Sequence, residues 1–497
     1  MQVGTPAVLA VDQGTTNSKA LLVDASGRVV AQGAHPLAPI RTPHPGWFEQ
    51  DPEDLFGATL QAVAAALDAA GPDVEVVGVA LTNQRESVVA WHAGTGEPAS
   101  AVLGWQDART AEYCGTLAEA GTLVHERTGL RLDPMFSAPK LRWLLDHTAV
   151  SRDRGLRAGT IDAYLIARLT GEDATEAGNA SRTLLFDLHH LGWDDELLAL
   201  FGVTEDVLPP VRASDAGFGT THRHGPLAAG WPVLAVLGDS HAALFAHGIS
   251  QGAGKVTYGT GSSVMVPLDG PGQLPDGVST TLAWLRDDPT YAREGNILAT
   301  GAALEALAGL LRLDDVGALL ELAGSASGEA AVSYVPAFSG LGAPHWDRDA
   351  TGVLVGLGRG TTAGQVARAG LDAVAQQVCD VLDAVPEPLT RLHADGGLSR
   401  HGPLMQLQAD LAGLPVSASP VGEASALGAA RLAWQALGAD DAAWGGAGDV
   451  RTYEPRRDEA WRKAERDRWR DALARSRGLA LGAGSKGPAA RRAERIG

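Results

Sequence analysis

Cysteine, positive charge and long apolar runs are all scarce in this sequence. Its 2 cysteines, Cys114 and Cys379, are too few for a disulfide framework, which is typical of a reducing compartment. Lys and Arg number 40 against 59 Asp and Glu, and the net charge of −19 argues against a nucleic-acid-binding surface. No apolar run reaches about 18 residues and no basic-then-apolar leader is present, so neither a membrane span nor a signal is predicted. We therefore expect a soluble cytoplasmic protein.

The length and composition predict more than one hydrophobic core. A chain of 497 residues exceeds what one core usually accommodates, so we expect two or more domains. Hydrophobic residues make up 45% and charged residues 20% of the chain, as in ordinary globular proteins. Strand-like runs alternate with a helix predicted over 52–70, for which Asp51 is the N-cap and Gly71 the stop. This mixture predicts an α/β architecture.

A polar turn lies between two strand-like runs near the start of the chain, in AVLAVDQGTTNSKALLVDASGRVV (7–30). The runs predict a β-hairpin, and because Gly14 can adopt positive φ, its turn can direct several backbone N–H groups at one anion. Asp12 would repel a phosphate there unless a cation such as Mg²⁺ lies between them. The stretch therefore favours a metal–phosphate site, with an ordinary solvent-facing turn as the alternative.

Similar glycine turns occur twice more. KVTYGTGSSVMV (255–266) again predicts strand, turn and strand, and its similarity to the first hairpin predicts two related α/β domains that face each other. An accidental match between two Gly/Thr turns is the alternative. Gly396 and Gly397 precede a helix-like run, which suits close approach of a nucleotide. Between these turns, PVLAVLGDSHAALFAHG (232–248) passes from a strand into a helix.

Longer motifs make the chain similar to a known family. They are DQGTTNSK (12–19), GWFEQDPEDL (46–55), LTNQRE (81–86), GWQDART (104–110), NASRTLLFDLHHLGWDDELL (179–198), YGTGSSVM (258–265), VPAFSGLGAPHWD (335–347) and DGGLSRHGPLMQLQADL (395–411). With these motifs the chain resembles the superfamily of actin, Hsp70 and sugar kinases, and within it the FGGY carbohydrate kinases. The NQRE and GLGAPHWD stretches are specific to the glycerol kinase side of that family.

The resemblance implies an α/β fold of two actin-like (ribonuclease H-like) domains with a cleft between them. Residues 1–248 would form the N-terminal domain, which binds the acceptor and carries the catalytic Asp. Residues 249–475 would form the nucleotide-binding C-terminal domain. A flexible tail is expected over 476–497, which is rich in glycine and basic residues and lacks apolar periodicity. The family also implies a homo-oligomer, a dimer or a tetramer.

The implied reaction is phosphoryl transfer from ATP, with Mg²⁺, to a hydroxyl of a small polyol or sugar. Such transfer needs positioning, neutralised phosphate charge and a group that takes the hydroxyl proton. Asp239 matches the family's general base, and Asp12 and Asp239 match its Mg²⁺-organising carboxylates. A simple helix cap is the alternative role for Asp239. The residues implied to contact ATP are Thr15, Thr16, Asn17, Lys19, Thr260, Gly301, Glu305, Gly397 and His401.

The implied acceptor site departs from the glycerol kinase pattern at three positions. The residues implied to bind the acceptor are Arg85, Glu86, Trp105, Met135, Asp239, Ser240 and Ser263. Met135 replaces a Tyr, Ser240 a Gln and Ser263 a Phe, and two lost aromatic side chains predict a roomier pocket. Because buried polar groups discriminate strongly between substrates, these changes can shift specificity. Glycerol, phosphorylated to glycerol 3-phosphate, is one predicted acceptor, and a polyol or ketose of four or five carbons is the other.

A nucleotide-dependent sensor or binding protein of the same fold is the alternative to a kinase. The actin and Hsp70 branches of the superfamily illustrate that second class. Neither branch needs an acceptor site, so the residue set Arg85, Glu86, Trp105 and Asp239 favours the kinase.

Overall fold

The strands form two large mixed sheets and several small ones. The computed structural model describes residues 4–147, 155–249, 251–326, 332–419, 422–445 and 450–478. The strands are β1 (Thr5–Gln13), β2 (Asn17–Val23), β3 (Val29–Pro36), β4 (Glu49–Gln50), β5 (Val74–Asn83), β6 (Val88–His92), β7 (Val102–Leu103), β8 (Leu156–Thr160), β9 (Thr175–Glu176), β10 (Phe186–Asp187), β11 (Gly192–Trp193), β12 (Val211–Arg212), β13 (Val233–Gly238), β14 (Ala253–Tyr258), β15 (Ser262–Leu268), β16 (Ser279–Leu285), β17 (Pro289–Ile297), β18 (Ser333–Val335), β19 (Val353–Val355), β20 (Arg391–Asp395), β21 (Val416–Ala418) and β22 (Arg451–Tyr453).

Helices cover the faces of these sheets. They are α1 (Pro52–Ala70), α2 (Ala111–Thr116), α3 (Gly121–Thr128), α4 (Ser137–His147), α5 (Ile161–Thr170), α6 (Ala177–Ala180), α7 (Asp195–Phe201), α8 (Asp239–Ala246), α9 (Gly301–Leu310), α10 (Val316–Gly324), α11 (Ala363–Ala384), α12 (Gly402–Ala412), α13 (Ala424–Ala436) and α14 (Glu459–Gly478). The predicted helix over 52–70 is confirmed, since Asp51 caps α1 by accepting from the N–H of Glu53 and Gly71 ends it.

The two large sheets share one strand order. The first runs β13-β5-β1-β2-β3, with β1–β2–β3 antiparallel and β1–β5–β13 parallel. The second runs β16-β17-β15-β14-β20-β21-β22, and β15–β14–β20–β21 repeats the same pattern of antiparallel and parallel pairing. The two glycine hairpins occupy equivalent places, at β1–β2 and β14–β15. The predicted pair of related α/β units is therefore confirmed.

The first sheet is buried on both faces because its strands are apolar at successive positions. On β1, Leu9 faces the core formed with α1 and α5, while Val8 and Ala10 face a second core. Such continuous apolar runs are typical of strands covered by helices on both sides. The second core contains α8 and α13, with Trp434 donating from Nε1 to Val23 O at 3.0 Å.

Helix α13 crosses the predicted division of the chain. It lies within 249–475, yet its apolar residues pack against β1, β5 and β13 of the first sheet. One helix of the predicted second part thus packs on the first sheet, and the predicted division of the chain stays a prediction. The predicted tail also begins too early, because Ser476 is buried in the last turn of α14 and donates from Oγ to Thr351 O at 2.6 Å. Residues 479–497 of that tail lie outside the described residues.

Cys114 and Cys379 are both buried and unpaired, in agreement with the absence of a predicted disulfide. Among the helices described, none combines the length and apolarity needed to cross a membrane.

Candidate functional site

Three parallel strands of the first sheet end side by side. The registers of β1, β5 and β13 align their final residues. In α/β sheets the carboxyl ends of parallel strands form the ligand-binding edge. Asp12 lies near the end of β1, Arg85 follows β5 and Asp239 directly follows β13. The topology therefore brings together side chains that are far apart in the sequence.

A cavity of about 220 Å³ opens at this edge. All seven residues predicted to bind the acceptor line it, together with Thr15 from the predicted ATP-contacting set. The full lining is Thr15, Arg85, Glu86, Trp105, Met135, Asp239, Ser240, Thr257, Gly261, Ser262, Ser263, Asn296, Ile297 and Leu298. The residues predicted to bind the acceptor thus line one cavity, although the role of each residue stays a prediction.

The two carboxylate oxygens of Asp239 have different surroundings. Oδ1 accepts a hydrogen bond from Arg85 Nε at 3.0 Å and another from the N–H of Ser240 at 2.6 Å. Oδ2 accepts none from the described residues, and 39% of the side chain is exposed. Asp239 is the first residue of α8 and is therefore placed at the cavity by the N-terminus of that helix. Oδ1 is therefore held in place, and Oδ2 remains available to accept a hydrogen bond.

Arg85 is held by a carboxylate that the sequence did not predict. Its Nη1 and Nη2 donate to the two oxygens of Glu294 at 3.0 and 2.6 Å, and Nη1 lies 3.3 Å from His241 Nε2. Together with the bond from Nε to Asp239, these contacts leave one of the five guanidinium N–H groups without a partner in the described part of the chain. That remaining N–H can donate to a hydroxyl.

A second arginine completes this buried group of charges. Arg182 Nε donates to Glu86 Oε1 at 2.6 Å, and Arg182 Nη1 lies 2.8 Å from Glu294 Oε2. Burial would raise the pKa of Glu294, but the guanidinium groups of Arg182 and Arg85 lower that pKa well below its usual range. Glu86 has a φ of +62°, a strained conformation for a residue with a side chain. The network therefore fixes Arg85 and Glu86 of the predicted acceptor site.

The three positions that depart from the glycerol kinase pattern all lie at the cavity. Met135 and Ser263 are buried, and Ser240 is half-buried. The Ser263 hydroxyl donates to Glu294 Oε1 at 3.4 Å, so a polar group stands where the pattern has a phenyl ring. Trp105 is fixed by a bond from its Nε1 to Thr15 Oγ1 at 3.2 Å.

Both glycine hairpins reach the cavity. Thr15 contributes from the β1–β2 turn and Gly261 from the β14–β15 turn. The neighbouring Thr16 and Asn17 are exposed, with Asn17 Nδ2 donating to Thr16 Oγ1 at 3.1 Å. Both hairpins therefore reach the cavity, and the side chains of Thr16 and Asn17 are exposed next to Thr15.

The glycines predicted to contact the nucleotide meet at the second hairpin. The N–H of Gly301 donates to Gly259 O at 3.0 Å, beside the exposed Thr260. A Cβ on Gly301 would lie 2.6 Å from that oxygen, so only glycine fits. Gly396, with a φ of +87°, packs equally closely on Tyr258 O and is followed by Gly397. These small residues leave backbone accessible to a ligand.

Two other predicted nucleotide contacts lie along the adjoining helices. Glu305 is exposed on α9, one turn beyond Gly301. His401 caps α12, its Nδ1 accepting from the N–H of Leu404 at 3.3 Å, and burial lowers its pKa. Neither residue lines the cavity, so their predicted adenine or ribose contacts have no support from its geometry.

Asp12 lies beside an ion pair that joins distant parts of the chain. Lys19 Nζ is 2.7 Å from Glu423 Oε2 at the start of α13. Surrounding protein raises the pKa of Asp12 to about 7, with the negative charge of Asp239 as the second cause. A cation near these two carboxylates would relieve their mutual repulsion.

The donor set near Asp12 fits Mg²⁺ that is brought by phosphates. Within the described ranges, no group of three or more His, Cys, Asp or Glu side chains could hold a metal ion by itself. Mg²⁺ is usually held by one or two carboxylates together with substrate phosphates and water. Asp12 and Asp239 are carboxylates of the kind that could take part in such a site.

Sequence reasoning missed Arg182, Glu294, His241, Asn296 and Glu423. Arg182 lies within a motif that carried the family resemblance, so its retention was a signal. Glu294 and Asn296 are polar residues of β17, but nothing local in the sequence shows which side chains they face. Their partners lie far away in the sequence, since 209 residues separate Arg85 from Glu294.

Comparison with known proteins identifies the family. The N-terminal domain pattern of the FGGY family of carbohydrate kinases matches residues 7–246, and its C-terminal domain pattern matches residues 254–437. An apulose kinase from Pectobacterium atrosepticum is 44% identical over 450 residues, which cover 87% of this chain and 90% of that protein. A glycerol kinase from Geobacter sp. is 43% identical over 443 residues, covering 86% and 89%.

Solved structures agree with this assignment. Plasmodium falciparum glycerol kinase with ADP superimposes with a TM-score of 0.86 at 27% identity, covering 95% of this chain and 98% of that one. A xylulose kinase from Rhodospirillum rubrum gives 0.80 at 27% identity, covering 94% and 98%. The chain belongs to the FGGY family of carbohydrate kinases and has its actin-like fold of two domains.

Proposed function

We propose that this FGGY carbohydrate kinase transfers a phosphoryl group from ATP to a hydroxyl of a small polyol or sugar, with Asp239 as the general base. The observation that carries the proposal is the asymmetric Asp239 carboxylate in a cavity that also contains the predicted acceptor residues. Arg85 fixes Oδ1, while Oδ2 is free to accept the proton of a bound hydroxyl. Such a base contributes about 10²–10⁴-fold to the rate.

The buried charges position the acceptor in this proposal. The remaining N–H of Arg85 and the carboxylate of Glu86 hold two neighbouring hydroxyls, one as donor and one as acceptor of a hydrogen bond. Trp105 provides an apolar wall against the carbon chain. Because Glu294 and Arg182 fix these side chains before the acceptor binds, little conformational freedom is lost on binding.

The ATP phosphates would lie between the two hairpins. Backbone N–H groups of both turns, the Thr15 hydroxyl and Lys19 are the groups available to neutralise them. Asp12 and Asp239 would hold Mg²⁺, which when bound neutralises phosphate charge during transfer. Lys19 must then exchange its present partner Glu423 for a phosphate oxygen.

Two acceptor classes remain in the proposal. Glycerol is supported by relatives named glycerol kinase at about 40–44% identity. A larger polyol or ketose is supported by the relative named apulose kinase and by the loss of two aromatic residues at Met135 and Ser263.

Replacement of Asp239 by Asn tests the proposed base. Asp239→Asn should lower acceptor-dependent ADP release by about 10²–10⁴-fold, because the amide keeps the size but cannot take a proton. ATP affinity, measured by calorimetry, should change much less. The matched control is Asp173→Asn, a carboxylate with 37% exposure that pairs with Arg157 at 2.7 Å away from the cavity.

Equal loss of turnover and ATP affinity in Asp239→Asn would assign the residue a structural role and contradict the proposal. ADP release that continues in this variant at the wild-type rate would exclude Asp239 as the base. A loss of similar size in Asp173→Asn would show that the assay reports folding instead of chemistry.

A further inference from the structure

We infer that Asn296 determines acceptor specificity by hydrogen-bonding an oxygen that lies beyond the three carbons nearest Asp239, so that the preferred acceptor is a polyol or ketose of four or five carbons. The inference rests on the proposed function and specifies its substrate class. Three observations support it: the direction in which the Asn296 side chain points, the absence of a hydrogen-bond partner for its amide among the described residues, and the second cavity nearby.

The direction follows from the strand. Successive side chains of a β-strand point to opposite faces, so residues two apart share a face. Glu294 and Asn296 are two apart on β17, and the Glu294 carboxylate reaches Arg85 at the cavity. Across the ladder, Asn296 pairs with Ser263, whose hydroxyl also contacts Glu294. Asn296 therefore faces the same cavity as Arg85 and Ser263.

The backbone around Asn296 is fixed. Its carbonyl oxygen accepts a hydrogen bond from the N–H of Ala343 at 3.0 Å. A Cβ on Gly342 would lie 2.4 Å from the same oxygen, so the loop presses directly on the strand. The side chain consequently projects from a rigid position, which a specificity-determining contact requires.

The side-chain amide of Asn296 has no hydrogen-bond partner in the described part of the protein. It is half-buried and lines the cavity. A polar group in such a place loses free energy unless a ligand or water satisfies it. The amide can both donate and accept, which matches a hydroxyl or a ketone oxygen, and it offers nothing to a hydrocarbon end.

A second cavity adjoins the first at Met135, the position at which the glycerol kinase pattern has a tyrosine. This second cavity of about 410 Å³ shares Trp105, Met135 and Leu298 with the first, and Gly342 lines it. An acceptor that extends from Asp239 toward Met135 therefore meets open space instead of a wall. Glycerol held by Arg85 and Glu86 would leave Asn296 to water, whereas a longer chain would place an oxygen there.

The test compares kcat/KM for a panel of acceptors in the wild type and in the variant Asn296→Ala. ADP release with ATP and Mg²⁺ is measured for glycerol, erythritol, ribitol, arabitol, xylitol and the ketopentoses ribulose and xylulose. Wild-type kcat/KM for the best longer acceptor should exceed that for glycerol by about tenfold or more. Asn296→Ala should lower kcat/KM for this acceptor by about 10- to 100-fold and that for glycerol by less than about threefold. Glycerol therefore serves as the internal control.

Different failures have different meanings. Equal losses for both acceptor classes, no loss for the longer one, or a wild-type preference for glycerol would overturn the inference while leaving the kinase intact. If no acceptor raises ADP release in the wild type, the proposed function itself fails. Asn296→Asp, which keeps the shape and removes the donor, replaces Asn296→Ala if that variant does not fold, and the same acceptor-dependent loss is expected.

Discussion

At the residue scale, the site depends on the buried carboxylate of Glu294, which is not among the site residues predicted from the sequence. Glu294 is fully buried and binds Arg85 with both oxygens, while Arg182 lies on its other side. Removing one partner from a buried charge pair leaves the others uncompensated. Glu294→Gln should therefore lower the free energy of unfolding by about 3–5 kcal/mol, as measured by urea denaturation.

The pH dependence of this effect follows from the lowered pKa of Glu294. Burial opposes ionisation, but Arg182 and Arg85 outweigh it, so the contribution is fully present above the ordinary value of 4.5 and is lost as pH falls toward the folded pKa. The gap between wild type and Glu294→Gln should be constant from about pH 8 to about pH 5 and narrow below that.

A surface pair provides the control for Glu294. Arg168 also binds both oxygens of Glu53, at 2.6 and 3.1 Å, but Glu53 is mostly exposed. Glu53→Gln should cost about 1 kcal/mol or less because water and salt screen the pair. Equal costs for the two variants would contradict the account of the buried network.

The proposed function also lets single residues decide the size of the acceptor. Met135→Tyr combined with Ser263→Phe restores the bulk that the family resemblance led us to expect at the cavity. The ratio of kcat/KM for glycerol to that for a five-carbon acceptor should rise by about tenfold, since the longer chain loses its space. An unchanged ratio would show that these residues do not contact the acceptor.

At the element scale, the helix that carries Asp239 is placed by close contact with α13. A Cβ on Gly428 would lie 1.8 Å from Ala242 O on α8, so the two helices touch through backbone. Gly428→Ala should force them apart, lower Tm and reduce kcat, because Asp239 begins α8. The measurement is a thermal melt together with ADP release.

The matched control for Gly428 is another helical glycine. Gly309 lies exposed on α9, and a Cβ there would meet nothing within 4 Å. Gly309→Ala should leave activity unchanged and raise stability slightly, since alanine favours helix by about 1 kcal/mol. A similar loss of Tm in both variants would show that the effect does not depend on the contact between α8 and α13 and would contradict the packing explanation.

The elements themselves were largely predictable from the sequence. Both hairpins, α1 with its caps, and the change from strand to helix at Asp239 depend on local patterns of apolar and turn residues, and all are confirmed. The pairing of Arg85 with Glu294 and the projection of Asn296 into the cavity were not predictable, because they arise from strand register between distant segments. Local periodicity carries no information on such contacts.

At the scale of the whole molecule, α13 joins the two halves. Residues 1–248 without α13 would expose the apolar face of β1, β5 and β13. This fragment should be insoluble, and linking residues 422–445 to it should restore soluble, cooperatively melting protein. Soluble expression of residues 1–248 with an unchanged melting transition would contradict the importance of this packing.

The whole molecule also explains why the amino-acid sequence alone leaves the identity of the acceptor undecided. Membership in the FGGY family defines the fold and the kinase class, yet relatives of similar identity are named for different substrates. Specificity depends on a few side chains around a cavity, and the cavity exists only after both sheets have folded around it.

The central claim is that the protein phosphorylates an acceptor hydroxyl, and the most direct measurement is ADP release with and without the acceptor panel, with ³¹P NMR of the product. The account predicts slow release without acceptor, stimulation by at least one polyol or ketose, and a phosphate monoester formed in equal amount to ADP. ADP released at one rate whether or not any acceptor is present, with only inorganic phosphate as product, would contradict it.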